Sequence, residues 1–109
     1  MSKGDRLGEF EEFTLLAIRA LGDSTYGVPI QQFVERAAGR TVSLGAVYAA
    51  LDRLEQKGFV RSILGSPSPT RGGKRKRLFD VTPLGLRTAR DLRRRRERVW
   101  QLIEEERRS

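Results

Sequence analysis

The chain contains no cysteine and no histidine. The first absence excludes disulfides, thiolate metal sites and cysteine nucleophiles. The second removes the commonest general base and metal ligand. No run of about 18 apolar residues occurs, so no membrane-spanning segment is expected. The N-terminus, Met1 to Arg6, is short and polar and leads into no signal-peptide core, which reads as a cytoplasmic protein. Paired acids occur at Glu11-Glu12 and Glu104 to Glu106, on expected outer helix faces with no pocket signal. No catalytic residue, metal site or cofactor is therefore assigned, and an enzyme is the least favoured class.

What is present is positive charge, unevenly placed. The 109 residues make one domain-sized chain with a formal charge of +8. Residues 1–70 balance eight Lys/Arg against eight Asp/Glu, whereas residues 71–109 carry fourteen against six. Residues 71–77 read Arg-Gly-Gly-Lys-Arg-Lys-Arg, and residues 93–96 are four consecutive arginines. A solvated basic surface is the bland reading. Clustering favours a polyanionic partner, nucleic acid before an anionic membrane.

The spacing predicts a helix over 8–21, with Phe10, Phe13, Ala17 and Leu21 on one face and Leu16 and Ala20 beside them. Gly22 stops it. A second helix over 28–38 shares Ile30, Phe33, Val34 and Ala37, with Pro29 in its first turn and Gly39 at its end. Ser43 is a good N-cap for a third helix over 44–57, with Val47, Tyr48, Leu51 and Leu54 inward and Gly58 as the stop. The opposite face carries Gly45, Ala46, Ala49, Ala50, Asp52 and Arg53, mostly small residues that permit close approach of another surface. That surface is either a DNA groove or a neighbouring helix. Residues 59–64 and 77–82 read as two strands around a Gly/Pro-rich tip at 65–73. Thr82-Pro83 then starts a helix to about 107. Ala89, Leu92, Arg96, Val99 and Ile103 follow a heptad-like seam, widened by Leu86, Trp100 and Leu102. So long an apolar face calls for a partner. A second copy is the simplest, and folding back onto the first helix is the alternative.

Three helices followed by a basic hairpin make the winged helix-turn-helix plan. The expected fold is mostly α with a two-stranded hairpin, residues 1–82 forming the DNA-binding domain and 83–109 a dimerisation helix within one compact unit. In that plan the third helix enters the major groove and the hairpin meets the phosphate backbone or the minor groove. Tyr48 is the sharpest candidate: its ring packs on the stripe while its hydroxyl points towards a phosphate or base edge. A core tyrosine with a satisfied hydroxyl is the competing reading. Thr41, Ser43 and Gly45 lie at the start of the same helix, where free N–H groups favour phosphate and plain capping by Ser43 is equally expected. Arg53 either contacts DNA or pairs with a nearby acid. Lys74, Arg75 and Lys76 are wing candidates, although strand alternation keeps all three from touching DNA together.

Three segments carry a family resemblance. They are Tyr26-Gly27, the run Leu44-Gly-Ala-Val-Tyr-Ala-Ala-Leu-Asp-Arg-Leu-Glu-Gln-Lys-Gly58, and Gly72-Gly-Lys-Arg-Lys-Arg-Leu-Phe-Asp-Val-Thr-Pro-Leu-Gly85. Together they closely resemble the PadR-like transcriptional regulators over about residues 10–103. The family usually has proline where Ala49 stands, and here the wing carries an additional Ser-Pro-Ser-Pro stretch at 66–69. The resemblance implies a homodimeric repressor of a palindromic duplex DNA operator, with Tyr26 among the DNA-binding residues. It also implies an effector pocket near the C-terminal helices, for which Arg96 and Trp100 are candidates. A small aromatic or anionic molecule is the expected effector, since nearby arginines argue against a cationic one and for an anionic or neutral one. A plain packing Trp100 is the favoured alternative, and Arg96 could instead pair across a dimer with Glu97 or Glu104. Ala89, Leu92, Val99 and Ile103 are the expected dimerisation residues. The competing functions are a nonspecific nucleic-acid binder and a protein-interaction module that keeps the fold without reading DNA.

Overall fold

The computed structural model describes residues 6–22, 24–67 and 75–109. The order is α1 (Glu9–Leu21), α2 (Gly27–Ala38), α3 (Leu44–Gln56), β1 (Val60–Pro67), β2 (Arg75–Val81) and α4 (Pro83–Arg108). The helix ends follow local chemistry. Glu9, Glu11 and Glu12 complement the positive end of α1. Gly39 closes α2 in the left-handed conformation, at φ 70°. Ser43 Oγ accepts from Ala46 N at 3.0 Å and caps α3. Thr82 Oγ1 accepts from Gly85 N at 3.0 Å at the head of α4, with Pro83 in the first turn.

The core gathers Leu15 and Ile18 of α1, Ile30 and Val34 of α2, and Val47, Leu51 and Leu54 of α3, closed by Phe59, Val60, Phe79 and Ala89. On α1 the expected stripe is rotated. Leu16 and Leu21 are exposed, while Leu15 and Ile18 are buried together with Glu11, Glu12 and Thr14. Two inward positions are held by carboxylates whose cationic partners lie far along the chain, so polarity alone misplaces the face. Ala50 is likewise buried rather than part of the open face of α3.

β1 and β2 pair antiparallel from Val60↔Val81 to Leu64↔Arg77, and the register shifts before Pro67↔Arg75. The returning strand thus starts at Arg75, two residues before the expected position, and β1 begins at Val60 and continues past Leu64 to Pro67. Thr25 adds a one-residue bridge to β2, with Phe79 N donating to Thr25 O at 2.8 Å.

Gly85 shows how α4 is seated. A Cβ there would overlap the Phe59 carbonyl, so only glycine lets the first turn of α4 lie against the start of the hairpin. Twenty-six residues of helix span about 39 Å at 1.5 Å per residue. The longest dimension of the molecule is 65 Å against 29 and 22 Å for the others.

Candidate nucleic-acid interface

Between α2 and α3 the backbone is fixed by side chains. Gln31 Nε2 donates to Val42 O at 2.9 Å, and Val42 N donates to Glu35 Oε2 at 3.0 Å. This sets the angle between the helices and leaves Thr41, Ser43, Gly45, Ala46 and Ala49 exposed. Arg40, Thr41, Ser43, Ala46, Ala49 and Arg53 line a shallow concavity of about 520 Å³. Ser43 is occupied as the cap of α3. Arg53 is half-exposed, and its Nε donates to Glu11 Oε2 at 3.0 Å. Lys57 Nζ approaches the other oxygen, Glu11 Oε1, at 2.5 Å. Burial pushes the Glu11 carboxyl up, but the bonds and charges of Lys57 and Arg53 outweigh it and hold it below its ordinary value.

Tyr48 is half-buried, its ring centroid 6.4 Å from that of Phe79. A Cβ on residue 27 would overlap the Tyr48 hydroxyl, so Gly27 is the residue that lets the tyrosine lie across the first turn of α2. That turn has no side-chain cap. Lys76 Nζ stands 3.8 Å from the Tyr26 ring centroid at the same place, a cation–π contact. Uncapped N–H groups, a phenol and an ammonium therefore gather at the head of α2. Sequence reasoning looked for a phosphate site, or plain capping by Ser43, at the head of α3, and did not single out the head of α2. The adjacent Tyr26-Gly27 pair was the available signal.

The basic cluster divides. Arg75 is exposed, Lys76 stacks on Tyr26, and Arg77 turns inward to acids of α3. Lys74 lies outside the described residues.

On α4 the expected seam also divides. Ala89 is 5% exposed and belongs to the core of its own chain, and Leu92 is half-buried. A partner therefore cannot use Ala89 without opening that core. Val99, Trp100, Leu102 and Ile103 are exposed, Trp100 at 68%. Arg96 does not stand free on the seam. Its Nη1 is 2.8 Å from Glu12 Oε1 of α1, an ion pair without hydrogen-bond alignment onto a nearly buried carboxylate. Folding back onto α1 is thus real for the first half of α4 and does not extend to the second. A cavity of about 440 Å³ lies against the first half, lined by Leu7, Phe59, Leu84, Leu92 and Arg95 among others. Arg96 and Trp100 line neither this cavity nor the one beside α3. No helix among the described residues is long and apolar enough to cross a membrane, and none of their acidic side chains cluster to hold a metal.

Three helices, a bridging residue and a hairpin packed in this order define a winged helix-turn-helix protein, extended by a long final helix. Residues 15–91 match the family described as transcriptional regulator PadR-like, and the chain belongs to that family. Its fold is the one that this family of transcriptional regulators describes, not an enzyme-like one. Solved structures agree at the level of fold. A transcriptional regulator from Clostridium thermocellum superposes with a TM-score of 0.63 at 22% identity, covering 86% of this chain and 89% of its own. A PadR-like transcriptional regulator from Bacillus cereus gives 0.66 at 19%, covering 87% of each chain. A PadR family transcriptional regulator from Eggerthella lenta gives 0.64 at 18%, covering 84% of this chain and 78% of its own. No curated protein matches the chain.

Proposed function

We propose that the protein is a sequence-specific, homodimeric DNA-binding repressor that reads a palindromic operator. The observation that carries this reading is the pairing of an open, small-residue face on α3 with a basic hairpin beside it. Gly45, Ala46 and Ala49 present almost no side-chain bulk, so the α3 backbone can approach base edges in a major groove roughly 12 Å wide. Thr41 and Ser43 supply hydroxyls at its start. Arg53 contacts DNA by exchanging or sharing its bond to Glu11. Tyr26, Tyr48 and Lys76, at the uncapped head of α2, form a phosphate-contact end, since free N–H groups and a cation favour an anion there. Lys74 and Arg75 extend the wing contact.

Two copies join through Leu92, Val99 and Ile103, with Trp100 at the edge of the seam. The support is the exposed apolar face of the second half of α4, which its own chain leaves open. A pocket for a small aromatic or anionic effector at Trp100 would be completed by the partner copy; the cavities beside α3 and against the first half of α4 do not reach that side chain. The protein works in the cytoplasm, where its DNA lies.

Selection of bound duplexes from random sequence tests this reading, followed by titration at rising salt. A palindromic consensus is expected, with half-sites about 10 base pairs apart or a multiple of that. Binding of every duplex with equal affinity and a steep salt slope would instead identify a nonspecific binder. A chain that binds no duplex would be an interaction module.

A further inference from the structure

Arg77 belongs to the basic cluster by sequence and to α3 by contact. Its Nη1 donates to Asp52 Oδ1 at 2.9 Å, its Nη2 to Glu55 Oε1, and its Nε to Ser62 Oγ at 3.1 Å. Ser62 Oγ in turn donates to Glu55 Oε2 at 2.8 Å. The guanidinium carbon lies 4.9 Å from the centroid of the Phe79 ring. The side chains of α3, β1 and β2 thus close one network around a single cation. Burial lowers the Arg77 pKa, but its bonds to Asp52 and Glu55 raise it further, so the net direction is upward. A fork committed to two carboxylates has little left to offer a phosphate. A two-stranded hairpin is only marginally stable by itself. Phe59, Val60 and Phe79 fasten the base of the hairpin in the core, and the Arg77 contact ties the strands to α3 farther out, where Arg77 pairs with Leu64.

We propose that Arg77 is a positioning residue for DNA recognition: it locks the outer part of the paired strands β1 and β2 to the C-terminal half of α3, so that helix and strands meet the duplex as one rigid unit. This rests on the DNA-binding reading above. The same contact neutralises Asp52 and Glu55, two carboxylates that would otherwise repel nearby phosphates. Pre-ordering these strands against α3 avoids the entropy loss of fixing them on binding.

The test uses the full chain, the duplex selected from random sequence, and a scrambled duplex of equal length, each across a salt series. Arg77→Ala is expected to weaken binding of the selected duplex roughly tenfold, through lost charge-assisted bonds, with the salt slope unchanged. Loss of one phosphate contact would flatten that slope by about 0.9, and such flattening would overturn the proposal. Asp52→Asn combined with Glu55→Gln removes two negative charges beside DNA, yet it is expected to weaken binding of the selected duplex and lower its margin over the scrambled one. Tighter binding by this double variant would mean that the acids only repel, and the proposal would fall. Arg77→Lys, which keeps the charge without the fork, is expected to recover part of the loss. Should Arg77→Ala fail to fold, the double variant decides the matter alone. Should the wild type prefer no duplex, the functional reading fails and the clamp is read in the free protein. Amide exchange at Lys76 to Phe79 is then expected to quicken in Arg77→Ala if it folds, and otherwise in the Asp52→Asn, Glu55→Gln double variant. Unchanged exchange would sink the clamp.

Discussion

The winged domain and the far half of α4 are built from the same kind of amphipathic helix, and they differ in what covers them. In the domain, the stripes of α1, α2 and α3 close on one another, and Leu15, Ile30, Val47 and Leu51 are all fully buried. Along α4 the apolar spacing continues from Ala89 to Ile103, but the cover stops. Val99 lies about 15 Å beyond Ala89 along the helix axis and is 55% exposed. Periodicity therefore reports which face is apolar, while reach along the axis decides whether the chain can cover it alone.

Val99→Asp with Ile103→Asp breaks the comparison most sharply. Neither side chain supports the core, so the winged domain should keep its unfolding midpoint in dilute solution. Charges placed on the proposed seam should yield a single protomer by sedimentation. Affinity for a two-half-site duplex should fall by about 100-fold or more, because the second half-site no longer binds intramolecularly. A dimer persisting in this variant would show that copies meet elsewhere. Gly85→Ala probes the covered half. Its new Cβ must displace the Phe59 carbonyl, and overpacking of this kind costs about 1–3 kcal/mol. Urea unfolding should show the loss, with association through the far half of α4 retained.

Arg96 sits where the two halves meet, so its replacement sharpens the boundary. Arg96→Ala leaves the Glu12 carboxylate, only 6% exposed, without its cation. An abandoned buried acceptor costs about 1–3 kcal/mol. Adding Glu12→Gln should recover part of that loss in the same unfolding measurement. No recovery would mean that Arg96 serves the far half of the helix rather than α1.

Much of the architecture is legible in local chemistry. Ser43 and Thr82-Pro83 mark helix starts, and Gly22, Gly39 and Gly58 mark stops, because caps act within a few residues of where they stand. Contacts between distant residues are not legible in this way. Glu11 and Glu12 read as outward-facing acids, since their partners Arg53, Lys57 and Arg96 lie 42 to 84 positions away. Arg77 reads as one of five cations in a loop-proximal cluster, and only the fold turns it towards Asp52 and Glu55. For Tyr48 the stripe position indicates a packing ring, while its place over Gly27 needs the angle between α2 and α3. The small face of α3 is readable except at Ala50, which is fully buried with the core.

Glu11 and Glu12 stand side by side, yet Glu12 answers to α4 and Glu11 to α3, which gives the comparison its finest test. Lys57 and Arg53 hold the Glu11 carboxyl below its ordinary value near 4.5, against the upward push of burial. The folded state therefore takes up this proton less readily than the unfolded chain. The stabilisation is complete above about 4.5 and is lost as pH falls through the lower folded-state value. Glu11→Gln should cost about 1 kcal/mol at pH 7, the scale of a partly exposed ion pair. The gap between wild type and variant should then close as the solution is acidified below about pH 4.5. Urea unfolding at a series of pH values measures it, and a gap that stays constant down to about pH 3 would show that Glu11 contributes no charge-dependent stability. Association through the far half of α4 should be unaffected, because the ion-pair partners of Glu11 among the described residues, Arg53 and Lys57, belong to the closed domain.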